Sequence, residues 1–340
     1  MRPRHLKIGM KKRSKKLMEQ CNEILEKYGR KAFEVAKNAV LEEKTLQPRV
    51  YKALKYFMEK SWHDVQHPAL ISLACEAVGG NPDKTVNVGA SMVLLAGAAD
   101  LHDDIIDGSK VKDSKPTVFG KFGRDITILA GDALLFKGLL LLHEACKELS
   151  RKQREAIIML VKQAFFEIGN AEVAEAEFKS NKYDLTPDKY REIIERKAAV
   201  GEACTRIGAI LGHGKKEEIE ILGRYGRTLA TLITIRNEFI DLFEPDELVN
   251  RVKNECLPLP LLYALKDEGK KSEVIRLIKM DRITKKTSQD LIELTDGING
   301  IKKLKDEMHS LIEKEAASLK LIKRNKATFK LLLQSMLEDL

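Results

Sequence analysis

A chain of 340 residues with 44% hydrophobic and 33% charged side chains has the apolar material for a large core, which excludes an intrinsically disordered polypeptide. Its five cysteines, at 21, 75, 146, 204 and 256, are odd in number and far apart; this excludes a disulfide framework or a paired zinc site and predicts free thiols. The net charge of +9 is uneven, with eight Lys or Arg and no acid in residues 1–16, MRPRHLKIGMKKRSKK, yet no aromatic residue or nucleic-acid signature accompanies that run, so nucleic acid is not an expected partner.

In chain order, residues 1–19 read as a basic, flexible leader. Residues 20–340 read as one all-α domain of about ten helices, because long proline-free spans carry apolar residues three and four apart. GGNPDK at 79–84 and DGSKVKDSKP at 107–116 read as loops. The most hydrophobic stretch, ITILAGDALLFKGLLLLHEAC, is interrupted by Asp132 and Lys137 and reads as a buried helix, not a membrane span. No apolar signal core follows the N-terminal charges, so a cytoplasmic protein without a transmembrane segment is expected. In TPDKYREIIERKAA, Thr186 is the expected N-cap and Pro187 the first helical residue, with Ile193 and Ile194 on the apolar stripe. Residues 266–340 read as charged amphipathic helices without a catalytic signal.

Two stretches carry chemistry. In DLHDDIIDGSK, Asp100, Asp103, Asp104 and Asp107 are spaced i, i+3, i+4 and i+7, which on a helix places four carboxylates within about a third of the circumference. Such a face repels itself by about a few tenths of a kcal/mol per pair unless cations sit between the side chains. Mg²⁺ suits it, because that ion takes one or two carboxylates and completes its shell with waters and substrate phosphates. In TIRNEFIDLFE, Thr234, Asn237, Glu238 and Asp241 repeat the spacing with oxygen-bearing side chains, and two such faces opposed across a cavity would form a cation cage.

Residues 101–135, LHDDIIDGSKVKDSKPTVFGKFGRDITILAGDALL, closely resemble the first aspartate-rich region of the trans-isoprenyl diphosphate synthases, the polyprenyl synthetase family. ACEAVGG at 74–80, IIERKAA at 193–199, the NEFID helix and LPLPLLYAL at 257–265 follow in family order. The resemblance implies a class I isoprenoid synthase helical bundle around a central cavity, usually homodimeric. It also implies Mg²⁺-dependent ionisation of an allylic diphosphate and attack by isopentenyl diphosphate on the resulting cation. Asp103, Asp104 and Asp107 then match the metal ligands of the first motif, and Asn237, Glu238 and Asp241 stand where the family has its second. Lys197 matches the lysine of a family Lys-Thr pair and would neutralise the leaving diphosphate. Lys112 takes the place of the first arginine after the aspartates, another phosphate contact. Asp103, Asp104 and Lys197 are the implied catalytic residues. Ala98 and Ala99 stand where relatives limit product length, and small side chains there imply a deep pocket for products of C20 or more.

The departures from the family pattern gather on one substrate. WHDVQHP at 62–68 replaces the GGKRxRP that grips isopentenyl diphosphate, Ala96 replaces a histidine, Asp113 the second arginine, Thr234 a glutamine and Cys256 a lysine. His63 and His67 are expected to be surface histidines, since a neutral imidazole does not replace Arg or Lys at a diphosphate. Asp100 is an addition to the pattern. Three readings follow: a divergent synthase with a rebuilt isopentenyl diphosphate site; a lyase, cyclase or prenyl transferase acting on another acceptor; or a non-catalytic subunit supporting an active paralogue in a heteromer.

Overall fold

The computed structural model describes residues 12–43, 46–112, 114–280 and 282–337, with side chains from Lys15 onward. Among these residues it contains sixteen α-helices and one two-stranded hairpin. The helices are α1 (Lys12–Leu41), α2 (Pro48–Tyr56), α3 (Gln66–Ala77), α4 (Val86–Ile106), α5 (Val118–Phe122), α6 (Arg124–Ala145), α7 (Arg151–Phe178) and α8 (Pro187–Lys197). They continue with α9 (Ala199–Leu211), α10 (Lys216–Ile240), α11 (Pro245–Asn254), α12 (Leu259–Ala264), α13 (Lys271–Ile278), α14 (Lys285–Thr295), α15 (Asn299–Ser318) and α16 (Lys326–Gln334). The strands β1 (Val111–Lys112) and β2 (Lys115–Pro116) pair antiparallel.

Local chemistry sets the ends that matter. The Thr186 side chain accepts from the Lys189 amide and Pro187 opens α8, as the sequence predicts; α8 then ends on Lys197, with Ala198 turning the chain into α9. At α5, Thr117 caps the helix by accepting from the Gly120 amide at 3.0 Å. Gly120 has to be glycine because a Cβ there would stand 2.0 Å from the Lys110 carbonyl oxygen. That close approach folds the Lys110–Pro116 segment back over the end of α4. Tyr56 fastens it by donating to the Pro116 carbonyl at 2.7 Å. The expected loop at 107–116 therefore contains the hairpin, turned through Ser114 at φ 61°. Asp113 lies outside the described residues.

One contiguous hydrophobic core runs from Cys21 to Met336. Within it α4 packs on α6, α3 and α1, while α9 packs on α3, α7 and α10. Two expectations need correction. The helical part of the chain starts at Lys12, not at residue 20, and Met18 is already buried; residues 1–11 lie outside the described residues. Helix α6 is buried along one face only, through residues such as Ala130, Leu134 and Leu142, and exposes Leu129, Phe136, Leu139 and Leu140. It is long and apolar enough to cross a membrane by length and composition, but its buried face is occupied by α4.

Candidate active site

A cavity of about 830 Å³ opens between α4, α7, the end of α8 and the hairpin, within the range of small-molecule sites. Phe57, Trp62, Met92, Leu95, Phe165 and Ile168 make much of its wall apolar. Its charged lining comes mainly from the last turn of α4 and from Lys112, Lys115, Glu172 and Lys197.

On α4, the spacing read from the sequence places Asp100, Asp103 and Asp104 along the cavity. The hairpin returns Lys112 to this face, with its Nζ 2.6 Å from Asp104 Oδ1, 3.5 Å from Asp100 Oδ1 and 4.0 Å from Asp103 Oδ2. The added Asp100 is thus a partner of Lys112. One ammonium does not neutralise three carboxylates. Burial and the nearby Asp107 push Asp103 well above the usual carboxylate range, and burial raises Asp104 to about 7 against the pull of Lys112. Burial opposes the charge on Lys112, but Asp100, Asp104 and Asp103 outweigh it and hold the ammonium firmly protonated. Asp103 Oδ1 is inaccessible and has no hydrogen-bond partner. A buried carboxylate oxygen left unpaired beside surplus negative charge fits a hard cation. Asp107 departs from the expected set: it terminates α4 outside the cavity lining and pairs with Lys179 Nζ at 2.7 Å.

Lys197 also lines the cavity. Its Nζ lies between two carboxylates of α7, Glu172 at 2.9 Å and Glu175 in closer contact. Burial opposes its charge, yet Glu175, Glu172 and Asp103 together hold its pKa well above the ordinary lysine value. Sequence reasoning missed Glu172, Glu175 and Lys179, although their i, i+3, i+7 spacing aligns the two glutamates of α7 with the lysine that follows the helix.

The α10 face does not assemble as expected. Asn237 lines the cavity and its Oδ1 is buried without a hydrogen-bond partner. Glu238 and Asp241 point elsewhere, into a buried network built on Arg251 of α11. Among the described residues, no group of three or more His, Cys, Asp or Glu side chains is placed to hold a metal by itself. The α4 face offers one or two carboxylates to a Mg²⁺ that would take further ligands from a diphosphate, whereas the α10 carboxylates are already occupied.

The segment that departs from the family pattern is ordered by its own side chains. Asp64 accepts from the Gln66 and His67 amides at 3.1 and 3.2 Å, capping α3, and its Oδ2 lies 2.7 Å from His67 Nδ1. Burial would raise the Asp64 pKa, but His67 and these hydrogen bonds hold it below the usual value. His63 is exposed beside Glu26, as expected of a surface histidine; His67 is not, being 5% exposed and part of the cavity wall. At the expected length-limiting positions, Ala99 lines the cavity together with Ala96, while Ala98 faces the core.

Comparison with known proteins bears on the family and the fold. A family profile described as Polyprenyl synthetase matches residues 47–295. The short chain isoprenyl diphosphate synthase of Methanothermobacter thermautotrophicus is 26% identical over 304 residues, 88% of this chain and 87% of that one. The geranylgeranyl diphosphate synthase of Methanosarcina mazei is 29% identical over 219 residues, 63% of this chain and 65% of that one. Among solved structures, geranylgeranyl pyrophosphate synthetase from Pyrococcus horikoshii superposes with a TM-score of 0.80 at 22% identity, covering 94% of this chain and 99% of its own, a likeness of fold. An all-α bundle, a cavity with paired aspartates and lysines at its charged end, and a profile match over most of the chain together assign it to the polyprenyl synthetase family, as an enzyme of the prenyltransferase kind.

Proposed function

We propose that the chain binds an allylic prenyl diphosphate with Mg²⁺ at the charged end of this cavity, ionises it there and transfers the prenyl group. The observation that carries the reading is the convergence of Asp103, Asp104, Lys112 and Lys197 at one end of a largely apolar cavity. Asp103 and Asp104 are the residues that would hold Mg²⁺, which when bound supplies positive charge to the departing diphosphate. Lys112 and Lys197 add fixed positive charge for the same oxygens. The apolar wall keeps water from the allylic cation until a second substrate attacks it. Ala96 and Ala99 leave room for a long prenyl chain.

Condensation with isopentenyl diphosphate is the first choice for the second half of the reaction, because the relatives named above are isoprenyl diphosphate synthases. Transfer to an acceptor without a diphosphate is a second reading. It is favoured by segment 62–68, which contains no Arg or Lys and brings Trp62 and His67, the latter paired with the buried Asp64, to the cavity wall. The enzyme is proposed to act in the cytoplasm as a homodimer. The exposed apolar residues of α6 and α7, including Phe136, Leu140, Ile158 and Phe166, supply a face for a second copy.

The test is diphosphate release from geranyl, farnesyl and geranylgeranyl diphosphates with Mg²⁺, with and without isopentenyl diphosphate, and identification of the organic products. Lengthened diphosphates that need isopentenyl diphosphate are the expected result. Release without it supports the second reading; tight binding with no release defeats both and leaves a subunit that supports an active paralogue.

A further inference from the structure

Both chemistry-bearing faces of this chain contain carboxylates, but only one of them contains a cation that is locked in place. Arg251 approaches Glu238 through both arms of its guanidinium, Nη1 to Oε1 at 3.0 Å and Nη2 to Oε2 at 2.9 Å. Nη1 also reaches Asp241 Oδ2 at 3.1 Å, Nη2 donates to Tyr190 Oη at 2.6 Å, and Nε donates to the Cys256 carbonyl at 3.0 Å. Glu238 is satisfied from other sides as well. The Leu259 amide donates to its Oε2 at 3.0 Å, and Tyr190 Oη lies 3.2 Å from its Oε1. Glu238, Asp241 and Arg251 are 3%, 2% and 7% exposed, and none of the three belongs to the cavity lining.

From this arrangement we infer that the acidic face of α10 takes no metal ion: Arg251 is its resident counter-ion, and the chain's divalent cation is held at the α4 face alone. The inference rests on the proposed role of that α4 face. A metal entering at Glu238 would have to displace a two-pronged guanidinium and a backbone amide from a carboxylate that water does not reach. A guanidinium also cannot leave by losing its proton, as an amine could. What α10 does present to the cavity is Asn237, whose side chain is neutral. At the α4 face the resident cation is Lys112, on a hairpin and partly exposed, with three carboxylates to share and one oxygen of Asp103 left unpaired.

The experiment is Mn²⁺ binding to the full chain in the presence of inorganic diphosphate, read by the loss of the free-ion paramagnetic resonance signal. The wild type is compared with Glu238→Gln, Asp241→Asn and the double variant Asp103→Asn with Asp104→Asn, after circular dichroism has shown each to be folded. The two α10 variants are expected to keep the number of bound ions and to change Kd by less than twofold. The α4 double variant is expected to lose a bound ion or weaken Kd by tenfold or more. A lost ion or a fivefold weakening in either α10 variant overturns the inference while leaving the α4 role standing; no change in the α4 variant overturns that role. Should Glu238→Gln not fold, Asp241→Asn carries the same comparison.

Discussion

Lys112 is held by three carboxylates, so its charge is available to a diphosphate only after those carboxylates have another partner. Metal and substrate should therefore arrive cooperatively at this residue. Lys112→Gln removes one charge-assisted contact to the leaving group, about 1.5–3 kcal/mol, and is expected to lower kcat/KM for prenyl diphosphate ionisation by about ten- to a hundredfold. Steady-state diphosphate release checks this, and an unchanged kcat/KM removes Lys112 from the site. Glu255 gives a second test. Burial raises its pKa from the ordinary 4.5 to about 8, although Arg251 pulls the other way. A carboxyl raised in the folded state penalises folding once it ionises: the cost is absent below pH 4.5 and grows until about pH 8. Glu255→Gln removes that cost, so its stability relative to wild type should rise by a few kcal/mol between pH 5 and pH 9 in denaturant titrations. A flat difference across that range would show that Glu255 ionises normally.

The helices differ in how much of their role could be read in advance. The aspartates of α4 and the cap of α8 were legible because both are local: a spacing within one helix and a Thr-Pro pair at its start. Where each face points is not local. Asn237, Glu238 and Asp241 share a spacing, but the packing of α10 against α9 and α12, with Arg251 on α11, sends one toward the cavity and two away. Arg251 and Glu175, within helices, and Lys179, at the end of one, sit in local sequences that carry no sign of the partner they meet. The Asp64–His67 pair went unread, with His67 expected at the surface, because its burial depends on the contact of α3 with α4 and α9. That contact rests on Gly208, where a Cβ would stand 2.1 Å from the Ile71 carbonyl oxygen. Gly208→Ala has to push α9 off α3, and is expected to cost about 1–3 kcal/mol or more in chemical denaturation. A loss below half a kcal/mol would mean the two helices part freely.

For the molecule as a whole, the unexpected element is the surface of α6 and α7. A strongly apolar helix was legible in residues 126–146, but its period did not tell which residues would meet α4 and which would be left outside. Phe136 and Phe166, both 66% exposed, are the largest of those left outside. Changing both to Glu is expected to convert the proposed dimer to a monomer in light scattering, with helical content unchanged; a wild type already monomeric at high concentration would dismiss this face as an interface. Helix α7 serves two sides at once. Phe165 and Val173 belong to the cavity lining and are exposed, and Phe166, next to Phe165, belongs to the proposed face. In the proposed dimer, a cation made within one copy would be shielded there from the bulk solvent by the other. Leakage becomes a function of dilution: as copies separate, water captures more of the cation, and the share of free prenyl alcohol among the products rises before turnover falls.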